Sequence, residues 1–338
     1  MKNIKKIFLL GGSISLLEAA ILLKKRKYEF FIFTSKRQLQ DKILDSNLSL
    51  EQGLKKNKIK FFVCKNINIE KNFIKNFDKT SLAIGFGEPW KLSNKFINKF
   101  KGNLIDFMCI PLPLFRGGAH YTWMSLMGVK KSTVCLQEIT KNTLQGVFDD
   151  GKILLRKNFR VKENSKPSTF FEMERKNANL LLKFFFDKII NKNKIKRISV
   201  NEKNSLFLPR LYTAKNGWIN WQWTGKDIFA FINSFDEPYI GSSTRYLQDN
   251  QNRKLIFLKD VSWENKKIKF HPFQSGLIIN KNKSAIIVAT TDGSIKIKKV
   301  LDQKKRDIKK IIEVGRRLYS FNSDLETSII YLPIYNRD

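Results

Sequence analysis

Short apolar runs alternate with helix-patterned segments through the first part of the chain, and this alternation leaves few folds open to it. Ile4–Leu10 ends at the turn Gly11-Gly12-Ser13, after which Leu16–Leu23 has helical apolar spacing. Phe30–Phe33 ends at Thr34-Ser35-Lys36, Ile59–Val63 follows the helical LEQGLKKN, and Ser81–Gly85 ends at FGEPW. Strands spaced by helices predict an α/β domain with a parallel, doubly wound sheet. Its ligand is expected beyond the carboxyl ends of the strands. The Gly11-Gly12-Ser13 turn lacks the G-x-G-x-x-G spacing that brings a pyrophosphate against the backbone, so a plain βα turn is expected there and a dinucleotide is not.

The pattern changes along the rest of the chain. Pro167–Ile190 reads as one long helix with Phe171, Leu180, Leu181, Phe184 and Phe185 on its apolar face, and a polar connector runs to about Pro209. Ile228–Phe235 predicts a further helix. KLIFLKDVSW, GLIIN, SAIIVAT and SIKIKKV are then short β-branched runs, the last two joined by Thr291-Asp292-Gly293, a hairpin turn. They predict a small C-terminal β domain of barrel type. Gln303–Tyr319 reads as a last helix, basic on its outer face, either a solvated helix or an anion-binding ridge. The expected division is an α/β domain over 1–200, a linker over 201–225, and a β domain with terminal helix over 226–338.

Composition narrows the function classes. Lys+Arg is 64 against 30 Asp+Glu, a net charge of +34, and the excess is spread along the whole chain without a basic arm. Such a balance fits either compositional drift toward lysine or an anionic partner. Cys64, Cys109 and Cys135 are too scattered for a disulfide framework or a zinc site; no metal is expected, and a reducing cytoplasm fits. Glu18, the glycine turn and the following KKRK argue against a cleaved export signal, and no apolar stretch is long enough for a membrane span.

The chemistry-bearing stretch is GNLIDFMCIPLPLFRGGAHYTW, followed downstream by LQGVFDDGKILL. Pro113, Phe115, Arg116 and Gly117 match the end of an N-x-H-P-S-L-L-P-x-Y-R-G loop, and Asp149, Gly151 and Ile153 match a D-x-G-x-I turn. Together with AIGFGEPWKL upstream and NGWINWQWTGKDIFAFINSFDEPYIG downstream, these pieces resemble the folate-dependent formyltransferases. That family includes methionyl-tRNA formyltransferase and the nucleotide-sugar N-formyltransferases, and the resemblance covers nearly the whole chain.

The resemblance implies an enzyme that moves a formyl group from 10-formyltetrahydrofolate, its co-substrate, to an amine. It implies Trp90, Leu144 and Gly146 along the folate, and Arg116 and Gly117 toward the acceptor. The reaction needs hydrogen-bond donors aimed at an oxyanion and a base near the amine. The family supplies Asn, His and Asp. Here Asp106 stands at the Asn position and Met108 at the His position, while Asp149 keeps the third. Methionine has no transferable proton, and an ionised carboxylate only accepts hydrogen bonds. Three resolutions are open: Asp106 is kept neutral by burial and by Asp149; His120 supplies the missing imidazole; or the site binds without turning over. Arg116 either grips an acceptor anion or braces its loop, and Trp90 and Trp123 either border the pocket or pack in the core. His271 reads as a loop residue, and Asp150 is expected to point away from its neighbour Asp149. For the acceptor, loss of the imidazole favours a nucleotide-linked amino sugar, and charge favours tRNA.

Overall fold

The computed structural model describes residues 3–43, 48–118, 120–142, 149–201, 203, 205–248, 253–265 and 269–331. Leu144 and Gly146 lie outside them. The chain divides into two compact units, one of residues 1–116, 131–160 and 172–207, the other of 117–130, 161–171 and 208–338.

The first unit is built on strands β1 (Lys6–Gly11), β2 (Glu29–Thr34), β3 (Phe62–Val63), β4 (Ser81–Phe86), β5 (Leu104–Met108), β6 (Lys131–Glu138) and β7 (Ile153–Arg160). They form one sheet in the order β3-β2-β1-β4-β5-β6-β7. The first five are parallel, as the alternation predicts. The last two return antiparallel, β6 on β5 and β7 on β6, so the sheet is mixed rather than wholly parallel. The predicted strand at Ile59–Val63 shrinks to Phe62–Val63, because the Ile59 amide is spent closing the preceding helix on the Leu54 carbonyl.

Alternation of side chains along β1 explains its double burial. Phe8 and Leu10 face an aromatic core with Phe33, Phe73, Phe96 and Phe100, and Ile7 and Leu9, on the opposite face, are fully buried too. Phe73 lies 4.9–6.0 Å from the rings of Phe8, Phe33, Phe96 and Phe100. Each such buried ring contributes about 1.5–3 kcal/mol of transfer free energy. The helix Ile14–Lys25 starts on Ser13, whose hydroxyl accepts the Leu16 amide, so the glycine turn is the plain βα turn expected. The long helix Pro167–Ile190 spans the predicted range, with proline at its first position; of its predicted apolar face Leu181 and Phe185 are buried, whereas Leu180 and Phe184 are exposed. Two ion pairs tie these helices together, Arg26 to Asp187 at 2.6 Å and Arg175 to Glu18 at 2.9 Å.

The second unit carries β8 (Ser242–Leu247), β9 (Arg253–Glu264), β10 (Ile278–Lys281), β11 (Ile286–Thr290), β12 (Gly293–Leu301) and β13 (Arg317–Tyr319), antiparallel in the order β10-β11-β12-β9-β8-β13. Its two edges meet: Ile278 N–H donates to Arg316 O at 2.9 Å and Leu318 N–H to Gly276 O at 2.8 Å. The sheet thus closes as a small barrel. The helix Gly225–Ser234 packs Ile228, Phe231 and Ile232 into its core with Ile286, Val288, Ile295 and Ile297.

The basic helix predicted over Gln303–Tyr319 does not form. The Asp302 carboxylate accepts the amides of Lys304 and Arg306 and turns the chain, Gly315 sits at φ +84°, and Arg317–Tyr319 pairs as β13. Only a short 3-10 turn, Lys309–Ile311, remains, and the terminal helix is Asn322–Ser328. Burial of Ile312 and Leu318 in the barrel core outweighs the local helical spacing. No helix among the described residues is long and apolar enough to cross a membrane.

Candidate functional site

The strand order reverses between β1 and β4, which opens a crevice at their carboxyl ends. Gly11 ends β1 at φ +108°, so close to the next strand that a Cβ there would meet Phe86 O at 2.6 Å and Glu88 N at 2.9 Å. Only glycine satisfies both demands. The loop after β4 is also held by Gln38, whose Nε2 donates to Gly87 O at 2.8 Å. Glu88 emerges from this loop with its carboxyl turned inward.

Asp106 stands on β5 beside this crevice, paired in register with Gly85 of β4 and Gln137 of β6. Gln137 is 2% exposed, and its Nε2 donates to Asp149 O at 2.7 Å and Gly151 O at 2.8 Å. One side chain opposite Asp106 therefore clamps the turn that carries Asp149. Asp149 itself sits at φ +56°, a conformation uncommon outside glycine, asparagine and aspartate. Gly151 is fixed by contact: a Cβ would overlap the Glu138 carbonyl oxygen. We expect Gly151→Ala to destabilise the first unit by about 1–3 kcal/mol, read as a lower urea midpoint. An unchanged midpoint would mean that the turn is not held this tightly.

The electrostatics follow from this packing. Glu88 Oε2 and Asp106 Oδ1 are buried without hydrogen-bond partners. Burial, with the Asp149 charge adding to it against an opposing backbone hydrogen bond, pushes the Glu88 carboxyl up to about 7. Asp106 is pushed well above the usual carboxylate range by burial first, then by the charges of Glu88 and Asp149. Each carboxyl, once ionised, raises the other; Asp106 is raised the more strongly, so it keeps its proton to higher pH than Glu88. Of the three resolutions left open by the sequence, this arrangement favours the neutral Asp106. Cys135, the register partner of Met108, is also driven up by burial and by Asp106 and Asp149, so it remains a thiol and no nucleophile. A neutral acid can donate to a developing oxyanion, and an ionised carboxylate beside it can take a proton.

The other sequence candidates are placed as follows. Asp150 points away, accepting from Thr140 Oγ1 and Asn142 Nδ2, both at 2.5 Å. Arg116 is 6% exposed at the end of the first unit's loop, and Gly117 begins the second unit. His120 opens the helix His120–Leu126 in the second unit. Trp90 packs against the aromatic core, and Trp123 donates its Nε1–H to Pro209 O at 2.8 Å, so both have structural contacts. His271 caps a 3-10 turn by accepting the Phe273 amide at 3.1 Å. No group of three or more metal-ligating side chains occurs among the described residues. Sequence reasoning gave Glu88 and Gln137 no role; the signal for Glu88 was its place just after β4, at the end of a strand bordering the switch point.

Comparison with known proteins agrees with this architecture. Residues 212–313 match the family model described as formyl transferase, C-terminal domain. Methionyl-tRNA formyltransferase of Mycoplasma capricolum is 25% identical over 237 residues, 70% of this chain and 69% of that one. The Prochlorococcus marinus enzyme of the same name is 27% identical over 206 residues, 57% of this chain and 60% of that one. Similarity in sequence thus runs to the formyltransferases, with residues 212–313 matching their C-terminal domain. Solved structures extend the likeness in fold over most of the chain's length. An N-formyltransferase from Helicobacter canadensis, in complex with folinic acid and dTDP-3-aminofucose, superposes with a TM-score of 0.62 at 17% identity, covering 87% of this chain and 99% of that one. A 4-N formyltransferase from Francisella tularensis does so at 0.57 and 17% identity, covering 76% and 98%.

Proposed function

We propose that this chain is an enzyme that transfers a formyl group from 10-formyltetrahydrofolate to the amine of a nucleotide-linked amino sugar. The observation that carries the reading is the pairing of Asp106 with Asp149 in one clamped corner, Asp106 held in its neutral form by its surroundings. The residues suit a formyl group in their chemistry: buried carboxyl oxygens without hydrogen-bond partners lie against Gly85, where any side chain would collide with both. The folate supplies an activated carbonyl carbon. Attack by the amine forms an oxyanion, and the protonated Asp106 carboxyl donates to it as an amide N–H would. Asp149 lends negative charge on the side where the amine nitrogen becomes positive. The folinic acid and amino-sugar nucleotide held by the Helicobacter canadensis protein support both co-substrate and acceptor.

The direct test is release of tetrahydrofolate from 10-formyltetrahydrofolate with a panel of amino-sugar nucleotides and charged initiator tRNA. Release with a sugar nucleotide is expected; none with any acceptor would leave a folate- or sugar-nucleotide-binding homologue, seen as thermal stabilisation by folinic acid without turnover.

A second reading, with initiator tRNA as the acceptor, is favoured by a cleft of about 500 Å³ on the barrel unit. Arg245, Arg253, Lys254, Lys304 and Arg306 line it against one carboxylate, Asp302. If this surface meets RNA phosphates, affinity for tRNA should fall roughly a hundredfold between 50 and 200 mM salt, as expected for about four phosphate contacts. Lys254→Glu should weaken it further at low salt. Absence of tRNA binding at low salt removes this reading.

A further inference from the structure

We propose that Glu88 is the proton acceptor of the transfer, filling the role that Met108 leaves vacant; the inference rests on the formyl-transfer reading above. Its basis is geometric. Glu88 follows β4 at the switch-point crevice, anchored where its backbone amide meets the bare Gly11. A methyl group on Gly85 would stand against Glu88 Oε2 and 2.8 Å from Asp106 Oδ1. The two carboxyl oxygens thus close over Gly85 side by side, and no side chain larger than hydrogen fits between them. Both are buried and both lack a hydrogen-bond partner. A buried polar atom left unsatisfied costs about 1–3 kcal/mol, so two of them side by side at the crevice are a feature that a hydrogen-bond donor on a ligand would relieve.

Three of the neighbouring groups cannot do this work. Met108 has no proton to move, the Cys135 thiol is held neutral, and the Gln137 amide is already spent on the Asp149 turn. The charged groups facing Glu88 are Asp106 on β5 and Asp149 on the turn before β7, both acidic. Asp106 keeps its proton, which leaves Glu88 the carboxyl poised to change state near neutral pH. A base so tuned is well matched to working at pH 7.

The step balances as follows. The amine nitrogen uses its lone pair to bond the formyl carbon, and the carbonyl π pair moves to oxygen, where the Asp106 carboxyl donates a hydrogen bond. The nitrogen, now positive, gives one proton to the ionised Glu88. The oxyanion re-forms the carbonyl as the bond from carbon to folate N10 breaks, and N10 takes the proton back from Glu88. The products are the formamide and tetrahydrofolate, with Glu88 again ionised.

The experiment compares wild type with Glu88→Gln and Glu88→Asp. In wild type kcat should rise with pH through about 7. In Glu88→Gln it should fall by about 10²–10³-fold and lose that rise, while stabilisation by folinic acid persists. Glu88→Asp should recover part of the rate. Independently of turnover, infrared difference spectra should show a protonated-carboxyl band that disappears across the same pH range in wild type and is missing from Glu88→Gln. Wild-type turnover with a Glu88→Gln variant that keeps both rate and pH profile would overturn the inference alone. A carboxyl band absent from wild type would do the same. Failure of wild type to turn over with any acceptor would overturn the formyl-transfer reading and this step with it.

Discussion

Asp106→Ala is expected to lower tetrahydrofolate release by about 10²–10³-fold, whereas Asp106→Asn should leave it at the wild-type level or above. The two variants separate charge from hydrogen bonding. Alanine removes the donor aimed at the oxyanion, a loss of the size seen when one oxyanion-hole donor is deleted. Asparagine keeps a donor, needs no elevated carboxyl, and restores the residue type of the resembling motif. Wild type should lose activity at high pH as the buried Asp106 finally ionises and becomes an acceptor that repels the oxyanion. Asp106→Asn should not, because an amide does not titrate. Rates measured from pH 6 to 9, with folding checked by circular dichroism, decide the matter. An Asp106→Ala enzyme as fast as wild type would remove Asp106 from the mechanism.

Much of this corner was legible in the sequence, for reasons that particular residues show. The Asp149-x-Gly151 turn and Asp106 could be singled out from spacing and resemblance, and the helix Pro167–Ile190 announces itself by its apolar period and its opening proline. The hairpin at Asp292-Gly293 followed from turn chemistry. What was not legible depends on distant packing. Asp106 and Asp149 meet because β6 returns antiparallel and places Gln137 opposite Asp106, and nothing local to either aspartate encodes that. Glu88 is one acid in a short loop until Gly11 and Gly85 bring backbone and carboxyls together around it. The failed helix at Gln303–Tyr319 has the same origin. Its isoleucine spacing suits a helix, and the barrel core claims Ile312 and Leu318 instead.

Glu88→Gln should make the protein more stable at pH 8 by about 3 kcal/mol and no more stable at pH 4. The sign follows from linkage. Below the ordinary glutamate value of 4.5, both folded and unfolded chains hold the proton, so the carboxyl contributes no pH dependence. Between 4.5 and about 7 the unfolded chain releases it while the folded chain retains it, and stability falls steadily with pH. Above about 7 the folded chain carries the buried charge and the full loss has accrued. Glutamine fills the same space without a charge to desolvate, and it also relieves Asp106 of one of its two acidic neighbours. Urea midpoints of the two proteins should therefore coincide at pH 4 and diverge progressively up to pH 7–8. Equal midpoints at pH 8 would mean that Glu88 is solvated and ordinary. A Glu88→Gln protein that is both more stable and catalytically crippled is the pattern expected when a site retains an unfavourable buried carboxyl for the chemistry it performs.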